Sequence, residues 1–110
     1  MSADYWLSID TGGDEPARIT DPSFNVTYNL GPMLRAAGFP AWEALRGAPA
    51  SEAAGVLKGV AGKLREDRAH LVAEFSPSNG WGDWDLALKF VEQFRDACTE
   101  HPKAVIEAWL

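Results

Sequence analysis

The sequence predicts an α+β fold that is mostly helical, with a small sheet of two or three strands built from the chain termini. A strand pattern opens the chain, a second strand pattern closes it, and the segments between them carry helical periodicity. Because two strands alone are not stable in water, we expect the terminal strands to pair and the helices to cover one face of the sheet. The 110 residues fit a single globular domain over residues 1–110.

The terminal strands are predicted from alternating polar and apolar positions. Tyr5–Asp10 alternates in this way and is stopped by Thr11–Pro16, which contains glycine and proline. Ala17–Thr20 then reads as a short returning strand. Ala104–Leu110 alternates again, so we expect it to pair with the first strand, either parallel or antiparallel.

The helices are located by their capping residues and by glycine and proline stops. The first lies within Asn25–Gly38. It starts near Asn29, which would be its N-cap, or near Gly31, because Pro32 fits only the first turn of a helix. The later segments are a helical turn over Ala41–Arg46, a helix that Ser51 caps and that runs to about Arg65, a short helix from Asp67 to Ala73, and a helix from Asp83 to His101.

The helix from Asp83 to His101 has the clearest amphipathic pattern. Its apolar positions recur at helical spacing and its polar positions lie opposite, so we expect it to be the central helix. Asp83 is expected to cap its first turn. The apolar stripe comprises Trp84, Ala87, Leu88, Val91, Phe94 and Cys98, and the opposite face carries Lys89, Glu92, Asp96 and Glu100.

Charge and cysteine content exclude several classes of function. The chain has 10 basic and 16 acidic residues, a formal net charge of −6, so we expect no nucleic-acid partner and no binding to anionic membranes. Cys98 is the only cysteine and the two histidines lie far apart, so no disulfide, metal site or cofactor is predicted. The first residues lack the pattern of a signal peptide, which predicts a cytoplasmic location in a bacterial or infected host cell.

A three-residue match to a catalytic motif lies at the end of the first predicted strand. Asp10, Thr11 and Gly12 resemble the active-site turn of aspartic proteases, but those proteases are nearly all β and this chain is mostly helical. We interpret the segment as an Asx-type turn, in which the Asp10 carboxylate accepts a local backbone N–H. The sequence contains no other catalytic set, so we favour a non-enzymatic protein.

Two polar segments are candidates for a binding site. Asn25, Thr27 and Asn29 precede the first helix, and Asn79 and Trp81 lie in a glycine-containing loop before the last helix. Amides and an indole suit recognition of a ligand or a protein partner, and the simpler interpretation is helix capping and core packing. We expect Asn29 and Asn79 to lie close together, Asn79 to bond to backbone near residues 25–29, and Trp81 to pack over the junction.

These segments belong to a wider pattern. Asn25–Met33 and Pro77–Asp83 are followed by Phe90 and by Ala97 and Cys98 ahead of a His-Pro pair. The combined pattern resembles a family of small uncharacterised proteins of actinobacteria and their phages, over most of residues 25–102. The resemblance implies no reaction, because the family has no known activity.

Two functions remain open. The first is a small acidic binding protein, of phage or prophage origin, that engages a host protein or a second copy of itself; its charge and its five tryptophans motivate this hypothesis. The alternative is a small-molecule binder or minor enzyme with a pocket between residues 25–29 and 79–81. Segments more than about 15 Å apart would not share one drug-sized pocket.

Overall fold

The structure is a computed structural model that describes residues 1–20, 23–80 and 82–110. Within these residues an antiparallel sheet contains four strands, with β1 at its centre. β1 pairs with β4 along one side and with β3 and β2 along the other, which confirms that the terminal strands pair. The strands are β1 (Ser2–Ile9), β2 (Ala17–Arg18), β3 (Phe24–Thr27) and β4 (Val105–Trp109).

The helices follow the predicted order closely. Asp83 caps the last helix, because its carboxylate accepts the backbone N–H of Leu86 at 2.8 Å. The second helix begins one residue before Ser51 and has no side-chain cap, so the predicted capping role of Ser51 is wrong. The helices are α1 (Gly31–Ala36), α2 (Ala50–Glu66), α3 (Arg68–Phe75) and α4 (Trp84–Glu100), with short 3-10 helices over Tyr28–Leu30 and Trp42–Leu45.

The core lies between one face of the sheet and the helices, and α4 is central to it. Val91, Phe94 and Cys98 are fully buried, as predicted, whereas Leu88 is only half-buried. Phe94 stacks against Phe24 of β3 and Tyr5 of β1, with ring centroids 5.4 and 5.1 Å apart. The aromatic side chains therefore join α4 to two strands of the sheet.

The strand β3 is a correction to the sequence analysis, which placed Asn25 and Thr27 in the approach to the first helix and predicted at most three strands. Pairing with β1 sets Val26 opposite Ala3 and buries both side chains. A run of four residues is too short to show a period, so only the tertiary pairing identifies the strand. Asn29 is likewise not the N-cap: Thr27 Oγ1 accepts the N–H of Asn29 at 3.3 Å.

Candidate binding groove at an open sheet edge

The outer side of β3 is an open sheet edge. Tyr28 donates its backbone N–H to Met1 O at 3.1 Å, so these residues form a hydrogen-bonded pair. Because hydrogen-bonded and non-hydrogen-bonded pairs alternate in an antiparallel ladder, the pair of Ala3 and Val26 is also hydrogen-bonded. The backbone N–H and C=O groups of Asn25 therefore point away from β1, and among the described residues no strand pairs with this side of β3.

A groove of about 620 Å³ runs between this edge and α4, and we call it the edge groove. Its floor is apolar, since Val26, Leu30 and Phe90 are at most 5% exposed. The lining comprises Asn25, Val26, Thr27 and Leu30 on the strand side, Gly80 and Gly82 of the loop, and Leu86, Lys89, Phe90 and Gln93 of α4.

The predicted polar segments meet beside the groove. Asn79 donates from Nδ2 to Asn29 Oδ1 at 3.2 Å, and Asn29 donates from its own Nδ2 to Thr27 Oγ1 at 3.1 Å. The predicted proximity of Asn29 and Asn79 is confirmed, although the acceptor in this bond is a side chain rather than the expected backbone. The bonds tie the loop to the end of β3, so both segments contribute to one groove.

The side chain of Asn25 is hydrogen-bonded to β1 rather than to the loop before α4. Its Nδ2 donates to Asp4 Oδ1 at 2.9 Å and to Ser2 Oγ at 3.0 Å, both on β1. What Asn25 offers to the edge groove is therefore its outward backbone groups rather than its side-chain N–H groups. Trp81, the remaining predicted site residue, lies outside the described residues.

Close packing of the loop against β3 fixes the shape of the groove. Gly82 has a φ of +97°, and a Cβ at this position would lie 2.9 Å from both Leu30 Cγ and Thr27 Cγ2. Only glycine fits such an approach, because a real Cβ would overlap both side chains. By contrast, a Cβ at Gly80 would contact nothing within 4 Å.

The α4 side of the groove was not identified from the sequence. Leu86, Lys89 and Gln93 lie at three- and four-residue spacing, the signal that places side chains on one face of a helix. Sequence analysis assigned Lys89 to a solvated face, since nothing there indicated a strand beside it. The structure places Leu86, which is 52% exposed, in the α4 wall of the groove.

A second stretch of groove adjoins the first at Gln93 and is lined by the later residues of α4. This second stretch has a volume of about 540 Å³ and shares Gln93 with the first. Its charged lining differs from that of the first stretch: Lys89 is the charged residue of the first, whereas the second carries Asp96 and Glu100. The described residues of its lining are Ile19, Thr20, Ser23, Phe24, Gln93, Asp96, Ala97, Glu100 and His101.

Other candidate residues have structural roles. The Trp84 indole donates to Leu64 O at 2.8 Å and carries Arg68 4.4 Å from its ring centroid, so it joins α4 to α2 and α3, in line with the predicted core role. Asp10 accepts the N–H of Gly12 at 2.8 Å, which confirms the Asx turn.

Burial raises the pKa of the Cys98 thiol to about 12, so the thiol stays protonated at neutral pH and is a poor nucleophile.

The sheet face that points away from the helices carries a second apolar feature. Trp109 is 75% exposed on β4, and Trp6 of β1 is half-buried beneath Arg18, whose guanidinium carbon lies 5.1 Å from its ring centroid. These rings account for part of the tryptophan content that the core does not use.

In the part of the chain that the structure describes, histidine, cysteine and carboxylate side chains nowhere gather in a group of three that could hold a metal ion. None of the described helices combines the length and the apolar character that crossing a membrane requires.

Comparisons with protein-family models, with curated proteins and with solved structures each found no match.

Proposed function

We propose that this chain is a non-enzymatic binding protein that accepts an extended peptide segment of a partner protein in the edge groove. The observation that carries the proposal is the combination of an open strand edge with an apolar groove along that same edge. Proteins recognise peptides in this way when an added strand supplies main-chain hydrogen bonds and neighbouring pockets take its alternate side chains.

The backbone of β3 supplies the main-chain half of this recognition. The outward N–H and C=O of Asn25 are one donor and one acceptor for an added strand. An exposed edge of this kind otherwise favours unwanted pairing, and proteins usually cover or charge it. A binding role explains why β3 keeps its outer edge open.

The floor of the groove supplies the side-chain half. Successive side chains of an added strand point to opposite faces, so every second one would reach Val26, Leu30 and Phe90. Leu86 adds apolar area in the α4 wall. A segment with apolar residues at alternate positions fits this floor best.

The partner is expected to be a protein. The net charge of −6 disfavours nucleic acid, and the groove offers one lysine in its first stretch rather than a basic cluster. The resemblance to proteins of actinobacteria and their phages suggests a host protein, or a second copy of this chain, as the source of the segment to test first.

Small-molecule binding is the second candidate function, favoured by the size of the groove. Its volume of about 620 Å³ lies in the range of drug-sized ligand sites, and residues 25–27 border the same space as Gly80 and Gly82. A screen of metabolites and nucleotides by thermal shift tests it. A compound that binds in the groove independently of the Asn25 backbone N–H would favour this function over peptide binding.

The main test is selection from a displayed library of random heptapeptides. We expect enriched peptides to bind the wild type and to bind Asn25→Pro at least about tenfold more weakly, because proline removes the outward N–H and obstructs the added strand. Asn25→Ala is the matched control: it removes the same side chain, keeps the N–H, and should bind within about twofold of the wild type.

A fold control accompanies this comparison. Thermal melting of Asn25→Pro and Asn25→Ala reports whether either variant loses the sheet. If Asn25→Pro does not fold, Leu86→Glu replaces it, since Leu86 is exposed and lies on the other wall of the groove. Peptides that bind all folded variants equally, or a library without enrichment, would overturn the proposal.

A further inference from the structure

The charges along the edge groove are separated by sign. Lys89 lines the first stretch and Glu100 lines the second, and neither forms an ion pair within the described residues. Asp96 also lines the second stretch, but it is paired with Arg95 at 2.9 Å. The charges of Lys89 and Glu100 are therefore the ones most open to an incoming ligand.

The two charges lie on the same side of α4. They are eleven residues apart, which is about three helical turns and about 16 Å along the axis. Gln93 lies between them and lines both stretches. An extended chain covers the same distance in about five residues.

Glu100 lies at the end of α4 where the helix dipole is unfavourable for a carboxylate. The last turn of α4 carries no basic residue, and Glu100 is its final residue. The helix dipole favours a cation there and disfavours a carboxylate. A residue that breaks a local rule in this way is more often found at a functional site than elsewhere.

We infer that the edge groove selects a peptide segment by the order of its charges: an acidic side chain beside Lys89, an apolar middle, and a basic side chain beside Glu100, about five residues apart. This inference deepens the proposed function and rests on it. Such a segment pairs both free charges of the groove, whereas one with the opposite order places like charges together at both ends.

The test repeats the peptide selection with the double variant Lys89→Glu/Glu100→Lys. This exchange keeps the net charge, the composition and the groove floor, and both side chains are exposed, so the fold is expected to persist. We expect the wild type to enrich peptides of one charge order and the double variant to enrich the opposite order. A peptide selected on one protein should bind the other about threefold to tenfold more weakly at low salt.

A matched exchange elsewhere is the control. Glu52→Lys/Lys58→Glu moves the same charges on exposed positions of α2 that do not line the groove. This variant should enrich the wild-type charge order. All variants are compared in one buffer, because His101 also lines the second stretch.

The outcomes separate this inference from the proposed function. Peptides that lose affinity for Asn25→Pro but show the same charges on wild type and double variant would overturn the charge selection and leave the groove as a peptide site. Absence of enrichment, or enrichment insensitive to Asn25→Pro, would overturn both.

Discussion

The two outer edges of the sheet differ in what covers them. Along β4, the chain itself supplies a cover: Gly47 donates to Ile106 O at 2.7 Å, Ile106 donates to Ala48 O at 3.0 Å, and Pro49 forms a bridge with Val105. Along β3, no described strand occupies the corresponding position, and a groove lies there instead. The fold thus covers the first residues of β4 with the distant segment 47–49 and leaves the outer edge of β3 next to a helix.

From this difference we expect binding at the β3 edge rather than at the β4 edge. An exposed edge is a hazard that most proteins remove, so an edge kept open beside an apolar floor indicates a role for the opening. The closed edge serves as the internal reference, because both edges belong to one sheet and share one core.

Hydrogen exchange should show the largest difference between the edges. The Ile106 N–H is bonded and buried, and we expect its exchange to be slowed more than about a thousandfold. The outward N–H of Asn25 should exchange close to the unprotected rate, and should slow when a selected peptide binds. NMR detection of deuterium exchange measures both amides, and equal protection in the free protein would remove the distinction between the edges.

Phe94→Ala tests the core that both edges share. Phe94 is fully buried and stacks on Phe24 and Tyr5, so we expect a loss of about 3–5 kcal/mol in the free energy of unfolding. Urea denaturation measures the loss. Leu86→Ala, on the exposed side of the same helix, should cost less than about 1 kcal/mol, and similar losses for the two variants would mean that the buried face is assigned wrongly.

Two glycine substitutions compare the edges directly. Gly82 and Gly47 both have positive φ values, +97° and +81°, but only Gly82 would bring a Cβ into contact, with Leu30 and Thr27. We expect Gly47→Ala to cost about 1 kcal/mol from backbone strain, and Gly82→Ala about 1–3 kcal/mol more from overlap. Thermal or urea unfolding measures each, and equal losses would contradict the close packing of the loop on β3.

The smallest effect is expected from Asn79→Ala. This variant removes the bond to Asn29 that holds the loop beside β3, and because Asn79 is exposed we expect a loss of about 0.5–1 kcal/mol. Ser78→Ala, a neighbouring exposed position, is the control for the substitution itself. Full stability together with weaker peptide binding would instead make Asn79 a contact residue of the groove.

The candidate site shows how far sequence reasoning reached. The proximity of Asn29 and Asn79 was predicted from two polar segments, and the hydrogen bond between them confirms it. The other wall was missed, because Lys89 and Gln93 look like ordinary solvent-facing positions of an amphipathic helix. The spacing of residues along a helix does not indicate which element lies beside its polar face.

The sequence by itself determined the α+β class, the pairing of the terminal strands, and the position and N-cap of α4. The fold class and the position and N-cap of α4 follow from periodic patterns or from the local chemistry of a cap, which act over neighbouring residues. The pairing of the terminal strands follows from a general rule, that isolated strands are not stable in water. Only the tertiary structure decided that Phe24–Thr27 is a strand and that its outer edge faces α4. Strand identity in so short a segment, and the openness of an edge, depend on contacts between residues distant in the chain, and local patterns do not encode those contacts.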